Sequence, residues 1–234
     1  MAVAFRASNL AGNGTATSVT NSYPTGTATG DYVVAILYKE NTAAVTVTPS
    51  DWVLLENGNN VVSGAAFNGY VYVRKFTSGD ANPNFAWTGS VWTDLQLRSY
   101  SGSTATGADG SDGHNKTVNA NSTDTTASEP AITTAIDQDI DLLTVTDFNG
   151  VNCTYPSGWI NAAGNGRDAN AADKAGVTAG SQASQSVTLS AATSYVAVQV
   201  AIKNANAAAG LPPGLGPDMC MQPGQMTDAV IGAF

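Results

Sequence analysis

Charge is scarce in this chain. Only 12% of its 234 residues are Asp, Glu, Lys or Arg, about half the roughly 25% of an ordinary soluble domain. Nine Lys and Arg stand against 18 acidic residues, a formal net charge of −9. Nine scattered cations argue against a nucleic-acid partner, whose binding rests on clustered Lys and Arg that neutralise phosphates. One histidine, His114, removes every two-histidine metal site. Long apolar runs are missing too, and a membrane span needs about 20 consecutive apolar residues, so no membrane partner is expected. What is present is a 43% hydrophobic share, enough for a real core. At this length folding removes roughly 70% of the unfolded surface from water, which excludes a disordered chain.

The two ends and the cysteines narrow the setting. Met1 to Ser8 lacks the apolar stretch of a secretory signal, since Arg6 interrupts it, and the alternation Val3, Phe5, Ala7 reads as a first strand. The chain is therefore expected to be made in a cytoplasm. Cys153 and Cys220 read as free thiols, as two lone cysteines in an unsecreted chain usually are.

The apolar segments are short, β-branched or aromatic, and alternating. Tyr32 to Tyr38 is a near-continuous apolar run of strand length. In Gly69 to Phe76, Tyr70, Tyr72 and Arg74 share one face and Val71, Val73 and Lys75 the other, the period of two that a strand requires. Ile140 to Val145, Val187 to Leu189 and Tyr195 to Val200 read the same way, with Asn-Gly and Ser-Gly turn pairs between such runs. No window sustains a capped helical stripe. The fold class is all-β, with about ten to twelve strands.

The chain also repeats itself. Gly30-Asp31 and its apolar run lead to Pro49-Ser50-Asp51-Trp52, and Asp139 to Val145 leads to Pro156-Ser157-Gly158-Trp159. Halves of about 15–100 and 130–203 are predicted, joined by a polar crossover over 101–129, within a β-sandwich spanning 1–203. Two like halves suit a jelly-roll-like antiparallel β-sandwich, two Greek keys laid together. A pair of separate small sandwiches is the alternative, and the second half looks short of strands to close its own core.

After Lys203 the composition changes. Residues 204–234 form an Ala/Asn linker and then an extended arm with four of the nine prolines, three of the four methionines and no basic residue. Its glycines at 210, 214 and 216 break the every-third rule of collagen. Leu211, Pro212, Leu215, Met219, Met221, Met226, Val230, Ile231 and Phe234 are the candidate partner-binding residues, because Met and its apolar neighbours adapt to a partner's groove. Packing of the arm on its own sandwich is the alternative.

Chemistry is sparse. His114 sits in a Gly/Asp-rich stretch that reads as a solvated loop, and no Gly-x-Ser-x-Gly elbow supports a triad. Asp109 with Asp112, and Asp168 with Asp173, lack the spaced ladder and closing Glu of a calcium loop and read as turn residues. The three glutamates, Glu40, Glu56 and Glu129, all fall in loop-like settings, which gives a glycosidase pair no support. Neither Gly12-Asn13-Gly14 nor Gly164-Asn165-Gly166 continues into a phosphate-binding fingerprint. Of the four tryptophans, Trp52 and Trp159 hold equivalent corners and read as core; Trp87 and Trp92 complete any sugar-stacking platform. No catalytic residue, cofactor or metal site is expected.

The pattern Gly-Asp, apolar run, Pro-Ser-x-Trp at Gly30–Trp52, looser at Asp139–Trp159, resembles β-sandwich virion proteins of tailed bacteriophages, of head-decoration, minor capsid or minor tail type. The closing run Tyr195 to Lys203 is similar to theirs as well. The resemblance covers roughly 15–203 and leaves the arm outside. It implies a non-enzymatic structural protein of the virion, made in the host cytoplasm, whose partners are the major capsid protein or other virion subunits and further copies of itself. Capsid decoration, anchored by the arm, is the expected role. A tail-associated or secreted carbohydrate-binding module that touches host glycan is the alternative, and a hydrolase with two carboxylates converging in a cleft is a third reading.

Overall fold

A computed structural model describes residues 3–62, 65–103, 111–120, 123–135 and 139–203. All regular structure in these residues is antiparallel β, as the alternating apolar segments require. The first half supplies β1 (Ala4–Thr20), β2 (Tyr32–Lys39), β3 (Thr46–Thr48), β4 (Val53–Val62), β5 (Ala65–Lys75) and β6 (Asn84–Ser101). The second supplies β7 (Ser111–Asn119), β8 (Thr126–Glu129), β9 (Ile132–Thr134), β10 (Asp139–Asp147), β11 (Cys153–Thr154), β12 (Ile160–Ala163), β13 (Ala169–Val177), β14 (Gly180–Gln182), β15 (Gln185–Leu189) and β16 (Tyr195–Ile202).

The two halves share one strand order. The large sheet of the first runs β1-β6-β2-β5-β4, and that of the second runs β7-β16-β10-β13-β12. Each half adds a small flanking sheet. In the first, β3 pairs with Asn84–Ala86 of β6, which also pairs with Ser18–Thr20 of β1. In the second, β11-β15-β8 plays the same part with separate strands. Each large sheet therefore draws its strands from one half, and the halves stack face to face. This is a sandwich of two similar halves whose sheet order does not interleave them as two Greek keys would.

Strand periodicity distributes the apolar residues among three cores. Val34, Ile36 and Tyr38 of β2, with Leu142 of β10 and Val196, Val198 and Val200 of β16, fill the layer between the large sheets. The alternate residues Val33, Ala35 and Leu37 face outward into a core of the first half with Trp52, Tyr72, Phe85 and Trp87. Leu143, Val145 and Ala197 do the same in the second half, with Cys153, Val187 and Leu189 and a half-buried Trp159. The second half thus closes its own core, through β8, β11 and β15. Strands apolar on both faces, such as β2 and β16, are buried on both faces for this reason. Trp52 and Trp159 pack as the repeated corner requires, and Cys153 is a buried free thiol.

Several sequence expectations need correction. The supposed crossover 101–129 contains β7 and β8, which complete the second half's sheets. His114 is on β7, with Nδ1 2.9 Å from Glu56 Oε1 on β4. Lys116 Nζ lies 2.9 Å from the other oxygen of the same carboxylate. Burial alone would raise Glu56, but hydrogen bonds from His114 and Lys116 outweigh it and hold the carboxyl below its ordinary range. Glu129 ends β8 fully buried, not in a solvated loop. The arm residues Leu211 to Phe234 and Cys220 lie outside the described residues.

Beyond the Glu56 contacts, two further devices inside the stack lock the halves together. Gly58 and Gly69 are cross-strand partners on β4 and β5. A Cβ at Gly58 would stand 2.4 Å from Val196 Cγ1, and one at Gly69 would stand 2.0 Å from Thr146 Oγ1, so glycine lets the sheets approach. The second device is ionic and buried. Arg98 of β6 donates to Asp173 Oδ2 of β13 at 2.8 Å, to Asn161 O at 3.0 Å and to the Tyr100 hydroxyl at 3.0 Å. Tyr100 donates to Asp173 Oδ1 at 2.8 Å, which leaves neither carboxylate oxygen unpaired.

Candidate binding cleft at the seam of the halves

Where the two halves meet at one end, a cleft of about 390 Å³ opens, lined by Asn13, Glu40, Trp92, Phe148, Asn149, Gly150, Gly166 and Asp168. Local chain chemistry builds each wall. β1 shifts register between Gly12 and Gly14, and Asn13 takes φ 70° there, a left-handed conformation that Asn tolerates better than most residues. Gly150 (φ 58°) and Gly166 (φ 72°) turn the backbone of the opposite wall. Glu40 follows β2, and its N–H donates to Trp92 O at 3.0 Å.

Trp92 is the most exposed tryptophan, 37% accessible. Its indole N–H donates to Asp168 Oδ2 at 2.7 Å, which fixes the ring against the second half. Behind Asp168 lies Asp94, fully buried. Arg167 holds Asp94 from both sides, through Nε to Oδ2 at 2.9 Å and Nη2 to Oδ1, and donates on to Ala11 O at 3.0 Å. The backbone N–H groups of Asp168 and Ala169 also donate to Asp94 Oδ2. Burial pushes the Asp168 carboxyl up to about 6; the Trp92 hydrogen bond opposes this, and the negative charges of Asp94 and Glu40 add to it. Burial likewise pushes Asp147 up to about 7, although it accepts backbone N–H bonds from Asn149 and Val151.

Such a cleft offers one rigid ring face, two carboxylates at different depths and two amides. Vicinal hydroxyls fit carboxylate and amide oxygens, and the ring accepts an apolar sugar face. The other tryptophans do not extend it, because Trp52 and Trp87 are buried and Trp159 packs half-buried against the second half's core. Among the described residues there is thus no aligned platform of exposed Trp rings, and no group of three or more His, Cys, Asp or Glu placed to hold a metal.

The sequence singled out most of these residues, but separately. The two Gly-Asn-Gly segments, Glu40, Trp92 and Asp168 converge here through the stacking of the halves. Asp168 and Asp173, read as one pair, have different partners: Trp92 for the first and Arg98 for the second. Asp147, which ends β10, and Asp94, in the middle of β6, were missed, since a single Asp in a strand carries no local signal of burial. Compared with family models, curated proteins and solved structures, the chain matches none.

Proposed function

We propose that this chain is a non-enzymatic structural protein of a bacteriophage particle, a capsid decoration subunit anchored by residues 204–234. The observation that carries the reading is where the exposed large aliphatic side chains sit. Leu10, Leu54, Val118 and Ile160 are each more than a third exposed, and each lies on an outer strand of a large sheet: β1, β4, β7 and β12. Outer strands carry unpaired backbone donors and acceptors, so an apolar residue on them suits a neighbouring subunit better than water. A body with few charges adds little like-charge repulsion to a crowded lattice. The resemblance of the Pro-Ser-x-Trp pattern to tailed-phage virion proteins supports the same reading.

The test is a copy count. Particles washed in high salt and chelator are expected to retain tens to hundreds of copies, scaling with the major capsid protein. A handful of copies moves the chain to the tail, and its absence from washed particles overturns the proposal. Removing 211–234 should leave a folded sandwich that no longer joins the particle.

The second reading, host-glycan adhesion, is favoured by the seam cleft with its rigid Trp92 ring. Quenching of tryptophan fluorescence by host polysaccharide, lost in Trp92→Ala, supports it; equal quenching in that variant removes it.

A further inference from the structure

The core of the second half contains oxygen atoms that nothing in the described chain satisfies. Glu129 is fully buried, yet neither Oε1 nor Oε2 accepts a hydrogen bond. Asp141 is 2% exposed and Gln199 fully buried; Asp141 Oδ1 and Gln199 Oε1 are likewise without a donor. One bond links the set, Gln199 Nε2 to Asp141 Oδ2 at 2.6 Å. A buried acceptor left without a donor is costly, and more so when it is charged.

Strand periodicity places the three residues in one layer. Ala127 and Glu129 share a face of β8, Asp141 shares its face of β10 with Leu143 and Val145, and Gln199 shares its face of β16 with Ala197. Ala127, Leu143, Val145 and Ala197 all belong to the second half's core. All three polar residues therefore project between the large sheet and β8. The register Leu143↔Gln199 and Asp141↔Ala201 puts Asp141 and Gln199 at the same end of it. In the first half, the outward positions of β2 and β6 hold no acid: Val33, Ala35, Leu37, Leu95 and Leu97 share that face with Lys39, Thr93 and Ser99. The acids are not a need of the topology.

We propose that Glu129, Asp141 and Gln199 form an oxygen-only site for one Ca²⁺ ion, which joins β8 to the large sheet of the second half. Counting donors favours a cation over a proton. A shared proton supplies one donor and a water two, whereas four acceptor oxygens are unmet; Ca²⁺ takes six to eight oxygen ligands and balances two carboxylates. Lys174, opposite Asp141 on β13, offsets part of its charge only from an exposed position. This departs from the expectation that the chain holds no metal.

The full chain, stripped with chelator, is titrated with CaCl₂ while its melting temperature is followed, and separately with Tb³⁺, with emission excited through tyrosine because Tyr155 packs against the same core. The expected result is a melting temperature that rises by several degrees and saturates at one ion per chain, with Tb³⁺ emission that Ca²⁺ displaces. Glu129→Gln should abolish the Ca²⁺ response while raising the melting temperature of the stripped protein, since a buried charge is removed. Glu40→Gln, in the seam cleft, should leave the response intact. A response kept by Glu129→Gln, or lost only in Glu40→Gln, places the ion elsewhere and overturns the proposal. So does a melting temperature that ignores Ca²⁺ and whose dependence on pH is lost in Glu129→Gln, the signature of a proton shared by the two acids. If Glu129→Gln does not fold, Asp141→Asn and the Tb³⁺ titration of the unmutated chain decide the matter.

Discussion

The two halves close the same strand order by different means. The first uses two long bent strands, β1 and β6, each serving both its large and its small sheet, with a Gly12-Asn13 register shift in one and a left-handed Gly89 in the other. Aromatic side chains fill its core: Trp52 meets Phe85 edge-on at 5.6 Å, and Tyr70 stacks on Tyr72 at 5.9 Å. The second half divides the same path into β7 and β8, and β15 and β16, and fills most of its core with Ala, Val, Leu and Cys, with Tyr195 inside it and Tyr155 and Trp159 at its margin. Broken strands need fewer bulges. Smaller side chains, however, leave room for the acids that an aromatic core would exclude. A shared topology therefore fixes where strands lie but not what chemistry their outward faces can hold.

The comparison breaks most sharply where the halves are bonded to each other. Arg98→Met leaves Asp173 charged and buried with a partner lost, and removing one member of a buried pair costs about 3–5 kcal/mol. Chemical denaturation should show that loss, whereas the double variant Arg98→Met, Asp173→Leu should recover much of it. A double variant as unstable as the single would show that the network fixes the stacking of the halves by more than charge. Gly69→Ala is expected to cost less, about 1–3 kcal/mol, because its Cβ overpacks the sheet interface at Thr146 and Val196. Thr146→Ala, made in the same chain, should relieve part of that cost, and a cost unchanged in the pair would place the strain in β5 itself.

How much of this could be read in advance depended on the residue type that carried it. The buried central strands β2, β10 and β16 announce themselves because both faces are apolar. The corner tryptophans announce the repeat. β7 escaped notice because an outer strand, half in water, is built here from Gly113, His114, Asn115 and Lys116, which look like a loop. Glu129 looked like a loop residue because a Pro follows it, and its burial comes from the large sheet beneath β8, far away in sequence. The seam cleft had the same difficulty: Asn13 and Asp168 become neighbours only when one half lies on the other. Glycine and asparagine mark where the chain turns, not what the turn will face.

The halves should also differ in acid. Asp147 and Asp168, both on the second half, are raised by burial to about 7 and about 6, above their unfolded values near 3.9. A carboxyl raised on folding contributes stability that is full below the unfolded value and lost as pH climbs through the folded one. The melting temperature should therefore fall between about pH 4 and pH 7, and the double variant Asp147→Asn, Asp168→Asn should flatten that slope. A slope unchanged in the double variant would assign it to the buried Glu129 and Asp141 instead, and so to the core and not the seam.

The smallest effect on stability is expected on the outer strand β12, where it separates folding from assembly. Ile160 is 54% exposed and its large sheet ends there, so Ile160→Lys should change stability by no more than about 0.5 kcal/mol. A lysine on an exposed edge also blocks strand addition by a neighbour. Self-association or particle binding should therefore weaken while the melting curve stays put. Leu54→Lys on β4 makes the same trial for the first half. If only one of the two variants impairs assembly, that half faces the lattice and the other faces outward. If neither does, the outer strands are not the contact, and the weight of attachment shifts to residues 204–234.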